Sequence, residues 1–217
     1  LFMRVAVLSS GGKDSAAAWW WAICKGWTID SLVTVRVHGD DSHMFQLPGT
    51  EQVEVQAKLA NLPWVAVPSS GQSNQEMKDL EHALRERDID GFVSGALRSD
   101  YQKSRLEQMA ERLNVKCWTP LWHHDGLDHV HGMVEHGFQI MITAVSCEGL
   151  DDAWLGKILT LEDVDQLDKL AKKHRFNVEG EGGEYETLVT SGPHFHGSME
   201  LTTTKHWDGV RGHLTFH

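Results

Sequence analysis

Between residues 4 and 118, five short apolar or β-branched runs alternate with stretches of helical periodicity, and this alternation constrains the fold most. Strands separated by helices return to the same end of a sheet. The pattern therefore predicts a parallel sheet with helices on both faces. The runs are Arg4–Leu8, Ser31–Val37, Trp64–Val67, Gly91–Ser94 and Lys116–Trp118. Ser31–Val37 is mostly apolar and β-branched, as a strand buried on both faces requires. Helices are predicted over about 14–25, 51–61, 74–87 and 99–113, with Gly26 capping the first and a loop over His38–Gly49. Thr119-Pro120 closes this unit, because proline neither joins a ladder nor continues a helix. Beyond it the composition turns to His, Gly and acidic residues. A helix near Asp128–His136, a strand Gln139–Val145, a helix Leu161–His174 and short strands Met199–Thr204 and His213–Phe216 are expected. The predicted organisation is an α/β domain over residues 1–119 and a smaller α+β domain over 120–217.

Ser10-Gly11-Gly12-Lys13-Asp14-Ser15 lies between the first strand and the first helix. Glycines let backbone approach an anion without Cβ interference, and a helix start attracts negative charge through its dipole and unpaired N–H groups. Lys13, expected on a solvated loop, adds a full charge, and Ser10 and Ser15 add hydroxyl donors. The spacing is neither that of a Walker A loop nor GxGxxG. The segment reads as a phosphate loop; a glycine-rich turn without a ligand is the alternative.

Gly95-Ala96-Leu97-Arg98-Ser99-Asp100-Tyr101-Gln102 follows the fourth run and opens a helix. In an open parallel sheet the ligand crevice lies at the carboxyl ends of the strands, where strand order reverses. This segment and the phosphate loop should therefore face one another. Ser99 suits a helix cap and Asp100 the positive helix end, which is a structural role in itself. That role leaves Arg98 and Arg105, on either side of Tyr101-Gln102, unexplained. A third segment, Glu179-Gly180-Glu181-Gly182-Gly183-Glu184-Tyr185-Glu186-Thr187, sets four carboxylates among three glycines. That composition disfavours both helix and strand. Carboxylates so close repel unless a cation or donor compensates. The segment is either a solvated acidic loop or backbone drawn close to a partner group.

Together SGGKDS, GALRSDYQ and EGEGGEYET resemble the diphthine–ammonia ligase family, also called diphthamide synthetase or ATP-binding domain 4. That family belongs to the N-type ATP pyrophosphatases, the PP-loop superfamily. SGGKDS matches the superfamily pattern SGGxDS at every fixed position but is specific only to the superfamily. The other two motifs are narrower. The likeness covers essentially the whole chain, including Leu155-Gly156-Lys157 and Pro120-Leu121-Trp122.

The resemblance implies a PP-loop (HUP-type, Rossmann-like) ATP-binding domain followed by a family-specific substrate domain. It also implies amidation of diphthine on translation elongation factor 2. The diphthine carboxylate attacks the α phosphate of ATP, pyrophosphate leaves, and ammonia then displaces AMP. On this footing Ser10, Gly11, Gly12, Lys13, Asp14 and Ser15 hold the pyrophosphate. Asp14 takes Mg²⁺, and adenine lies near Val35–Val37. Gly95, Ser99, Asp100, Tyr101 and Gln102 border the nucleotide or nucleophile. Glu181, Glu184, Tyr185 and Glu186 border the acceptor and ammonia. Lys13, Asp100, Glu181 and Glu184 are the catalytic candidates. Diphthine's trimethylammonium group cannot donate conventional hydrogen bonds, so carboxylates and aromatic faces suit it. Glu184 or Glu186 with Tyr185, joined by Trp154 or Trp207, is the expected pocket. Binding ammonium and removing its proton is the competing role.

Composition narrows the partners. A net charge of −11 opposes polyanions, which argues against nucleic acid and fits a basic protein partner. No apolar run approaches the ~18 residues of a membrane helix, and the start, Leu1–Leu8, reads as a strand rather than a signal peptide. Cys24, Cys117 and Cys147 are too dispersed for a disulfide framework or a CxxC pair, so a cytoplasmic setting is expected. Cys147 reads as a buried thiol rather than a nucleophile. Trp19, Trp20 and Trp21 cannot all face the sheet from one helix. The histidines match no familiar zinc spacing. A PP-loop tRNA-modifying enzyme and a non-catalytic ATP sensor are the rival readings. The oligomeric state, a homodimer included, stays open.

Overall fold

The structure is a computed structural model that describes residues 2–37, 49–70 and 75–217. Residues 38–48 of the expected loop, and Asn74 at the expected start of the third helix, lie outside the described residues. The chain divides into two compact units. One comprises Leu1–Ser10 and Asp14–Trp122. The other comprises Gly11–Lys13 and His123–His217.

The first unit holds five parallel strands, β1 (Arg4–Leu8), β2 (Thr28–Val37), β3 (Trp64–Ser69), β4 (Gly91–Val93) and β5 (Lys116–Trp118), in the order β3-β2-β1-β4-β5. Four helices alternate with them: α1 (Lys13–Cys24), α2 (Val53–Leu59, after a 3-10 turn), α3 (Gln75–Arg85) and α4 (Asp100–Leu113). Strand side chains alternate between faces, so one strand serves two cores. Ala6 and Leu8 of β1 join Val33, Val35 and Phe92 against Leu80 and Leu84 of α3 and Leu106 and Met109 of α4. Val5 and Val93 pack with Ala18 and Ala22 of α1. Burial of each Val, Leu, Phe or Met among them is worth about 1.5–3 kcal/mol.

β2 begins before its expected start and takes in Asp30, a carboxylate that breaks the apolar pattern. Asp30 is buried but not isolated. Arg4 Nη2 donates to it at 2.6 Å, Ser31 Oγ at 2.9 Å, and Arg87 Nε also donates. β3 runs on through Pro68, which an edge strand tolerates. On α1, Trp19 is fully buried while Trp20 and Trp21 are half-buried, Trp21 standing edge-on to Trp27 at 5.1 Å.

The second unit contains α5 (Gly126–Glu135), β6 (Gln139–Val145), α6 (Leu161–His174), β7 (Tyr185–Ser191), β8 (Thr203–Trp207) and β9 (Gly212–Phe216). Its antiparallel sheet has the order β7-β6-β9-β8. Ile140, Ile142, Leu188 and Val189 are buried, and α5 packs on α6. α6 opens with a capping box between Thr160 and Asp163. Two expectations need correction here. The segment starting at Tyr185 is a strand rather than part of a loop, because Thr187, Leu188, Val189 and Thr190 supply a β-forming buried run paired to β6. The strand expected over Met199–Thr204 instead spans Thr203–Trp207. Met199 is buried ahead of it, and its N–H bonds Thr190 O at 2.8 Å.

Candidate active site

Strand order reverses at β1, which has β2 on one side and β4 on the other. Connections leaving the carboxyl ends of β1 and β4 therefore diverge there and open a crevice. Ser9–Gly12 follows β1, and Ser94–Ser99 follows β4. In the first unit the second of these segments reaches the first turn of α1. A Cβ added to Gly95 would stand 2.5 Å from the Asp14 carbonyl carbon and 2.7 Å from Ser15 N. Only glycine permits that approach, which brings the second motif against the first turn of α1. Ser9 Oγ and Ser15 Oγ lie 3.4 Å apart. Ser99 caps α4, accepting from Gln102 N–H at 3.3 Å.

Asp100 and Tyr101 line a groove of about 900 Å³ between α3 and α4, with Lys78, Glu81 and Ser104. Tyr101 is 47% exposed, and the Arg105 guanidinium lies 4.2 Å from its ring centroid. The GALRSDYQ segment thus separates into Gly95, against the phosphate loop, Ser99 at the cap, and Asp100 and Tyr101 at the groove.

The second unit holds the rest of the phosphate loop against β7. Gly11 has φ 87°, a conformation that disfavours side chains, and its carbonyl accepts from Val189 N–H at 2.9 Å. Lys13 N–H donates to Thr187 Oγ1 at 3.1 Å. Lys13 is 4% exposed, and its ammonium lies 5.6 Å from the Tyr185 ring centroid. The expected solvated lysine is therefore corrected: Lys13 opens α1 as a buried residue.

The acidic segment is a built structure. Glu184 Oε1 accepts from Asn177 N–H and Nδ2, both at 2.9 Å. Its Oε2 is buried and finds no hydrogen-bond donor among the described residues. Ser146 bonds the Gly183 and Glu184 carbonyls. Glu179 is buried with its carboxylate against Gly126, the first residue of α5, where the helix dipole favours negative charge. Glu181 and Glu186 are half-buried. Glu179 and Glu184 are thus held at different partners.

Tyr185 is 2% exposed and donates its hydroxyl to Val178 O at 2.6 Å. Trp154 is buried with the Lys157 ammonium 4.9 Å from its ring. Of the rings expected at the acceptor pocket, these two are both buried, each with a lysine ammonium near its face. Thr187, Val189, Ser146 and Asn177 are the residues that sequence reasoning left without a role. The β-branched run after Tyr185 was the available signal for the first two.

Cys117 is pushed up to about 12 by burial and the charge of Glu107, and Cys147 to about 11 by burial and Glu184. Both thiols stay protonated at neutral pH and are poor nucleophiles. Among the described residues no three His, Cys, Asp or Glu side chains cluster as a metal cage. Asp14, in the first turn of α1, supplies a carboxylate beside the loop. That suits Mg²⁺ shared with phosphate and water better than an all-protein cage. No helix among the described residues is long and apolar enough to cross a membrane.

A parallel sheet with this order and an SGGKDS loop at its reversal point define an α/β protein of the PP-loop class. The diphthamide synthase N-terminal domain family matches residues 3–117, and the diphthamide synthase C-terminal domain family matches residues 110–217. Diphthine–ammonia ligase of Homo sapiens is 35% identical, covering 89% of this chain and 80% of that protein. The Rattus norvegicus protein of that name is 34% identical, covering 94% and 84%. The Schizosaccharomyces pombe protein of that name is 32% identical over 92% of this chain, which corresponds to 36% of its own length. The chain belongs to the diphthamide synthase family and is an enzyme of the ligase class.

Proposed function

We propose that this enzyme amidates diphthine on translation elongation factor 2 with ammonia, using ATP and releasing AMP and pyrophosphate. The observation that carries the reading is the contact of Gly95 with Asp14 and Ser15 at the sheet's reversal point, in a chain of this family.

Residues 1–119 serve ATP and residues 120–217 the acceptor. The backbone of Gly11 and Gly12, the hydroxyls of Ser10 and Ser15 and the ammonium of Lys13 hold the β and γ phosphates. Adenine lies near Val35–Val37. Asp14 would hold Mg²⁺, which when bound offsets charge on the leaving pyrophosphate. The diphthine carboxylate attacks the α phosphorus, and the bond to the β-phosphate oxygen breaks. Ammonia then attacks the acyl carbon, and AMP departs with the bonding pair. Positioning and charge stabilisation dominate such phosphoryl chemistry. Gly95, Ser99 and Gln102 border the nucleotide. Glu181, Glu184 and Glu186 border the acceptor. Glu184 Oε2 is suited to holding ammonium and taking its proton, since Oε1 is already fixed by Asn177.

The test is product analysis with diphthine-modified elongation factor, ATP and ammonium. AMP, pyrophosphate and an amidated side chain are expected, whereas acceptor-dependent ADP and phosphate would sink the mechanism. Glu184→Gln keeps an acceptor for Asn177 but removes the base. ATP binding should persist while amide formation falls by about a hundredfold or more, in the range of a lost general base. Near-normal amidation would exclude Glu184 from the chemistry.

A further inference from the structure

We propose that Thr187 is a positioning residue for the phosphate loop, and that strand β7 is the template on which Gly11–Lys13 takes its shape. The inference rests on the ATP site proposed above. Helix starts leave N–H groups without acceptors inside the helix, and Ser, Thr, Asp or Asn at the preceding residue commonly supplies one. Before Lys13 that position is Gly12, which has no side chain to offer. A cap side chain there would stand where an anion must approach the backbone. The Thr187 hydroxyl, 174 positions along the chain, accepts from Lys13 N–H instead, at 3.1 Å.

The neighbouring odd-numbered positions of β7 act on the same stretch. Val189 N–H bonds Gly11 O at 2.9 Å, and the Tyr185 ring lies 5.6 Å from the Lys13 ammonium. Tyr185, Thr187 and Val189 are all buried, and alternate strand residues share a face. The strand therefore fixes the carbonyl within the loop's glycine pair, the N–H after it and the charge beside it. Thr187 is the member of this set that acts through a single removable atom.

Thr187→Val replaces the hydroxyl with a methyl of similar size on a strand that favours valine. Full-length protein should keep its thermal midpoint. Its ATP affinity by calorimetry and its KM for ATP should worsen by roughly five- to tenfold, the worth of one hydrogen bond. KM for ammonia should not move. Thr187→Ser restores the acceptor and should restore ATP affinity. Thr187→Ala, which adds no methyl, carries the same expectation as Thr187→Val if the valine variant does not fold. Wild-type ATP affinity in the hydroxyl-free variant overturns the proposal, and so does failure of serine to rescue. Lys13→Ala separates the two levels of failure. If it weakens ATP binding while Thr187→Val does not, the ATP site stands and the positioning role falls. If neither variant changes ATP affinity, the ATP site falls and takes this inference with it.

Discussion

The two units differ in what meets the side chains they bury. In the parallel unit a carboxylate inside β2 is neutralised by other charges, with Asp30 meeting Arg4 and Arg87. In the antiparallel unit Asp163 also pairs with Lys157, but two other carboxylates are met by uncharged groups, Glu184 by Asn177 and Glu179 by the start of α5. The same unit packs a histidine between Phe138 and Phe195, with ring centroids 5.6 and 4.7 Å away. A charge held by opposite charges needs both partners present. A neutral imidazole held by apolar packing needs only that no proton arrives. The two units should therefore fail under different conditions.

Removing the charge of Asp30 is the most damaging way to break this comparison. Asp30→Asn leaves two arginines facing an amide. It should cost about 2–3 kcal/mol at neutral pH, at the low end for a broken buried pair because Arg4 is half exposed. Chemical denaturation measures it, and a loss below about 0.5 kcal/mol, the level of an ordinary surface change, would demote the cluster.

Acidification sharpens the contrast. Burial pushes His194 down to about 3, so below the ordinary 6.5 the unfolded imidazole takes up a proton that the folded one refuses. Stability is present above pH 6.5 and declines as pH falls towards 3, by about 1.4 kcal/mol per pH unit from this group. For Asp30, burial alone would raise the pKa, but Arg87, Arg4 and Ser31 together hold it below 3.8. Its contribution survives above that value and disappears only as pH falls through its lower folded pKa. The antiparallel unit should therefore yield first in an acid titration followed by hydrogen exchange. His194→Phe should delay that loss between pH 6.5 and 3, and an unchanged profile would refute the assignment.

The smallest effect is one of rate. Cys24 is exposed, so maleimide at neutral pH should label it first, while Cys147 and Cys117 lag behind. Mass spectrometry gives the order, and early labelling of Cys117 would show that its strand opens readily.

How far the sequence could be read follows the same division. In the parallel unit each strand announced itself by local composition, and Gly95 fell beside the phosphate loop because the strand-order rule leaves few alternatives. β2 was read short because Asp30 looks foreign to a buried strand until Arg4 and Arg87, distant in sequence, are beside it. In the antiparallel unit the glutamates and glycines before Tyr185 masked a strand whose pairing with β6 lies some forty residues back. The burial of Lys13 and the role of Thr187 were illegible for the same reason. A hydroxyl that caps a helix from another element leaves no mark in the local pattern.

The bond between Lys13 and Thr187 also sets an order of events. Synthesis proceeds from the amino terminus, and domains generally fold as they emerge. β1 and the residues of α1 are made well before β7, which supplies the acceptor for Lys13 N–H and the donor for Gly11 O. Closing a contact across 174 positions is entropically slow compared with the local pairings that precede it. The nascent protein therefore carries its glycine loop without these two bonds until β7 has left the ribosome.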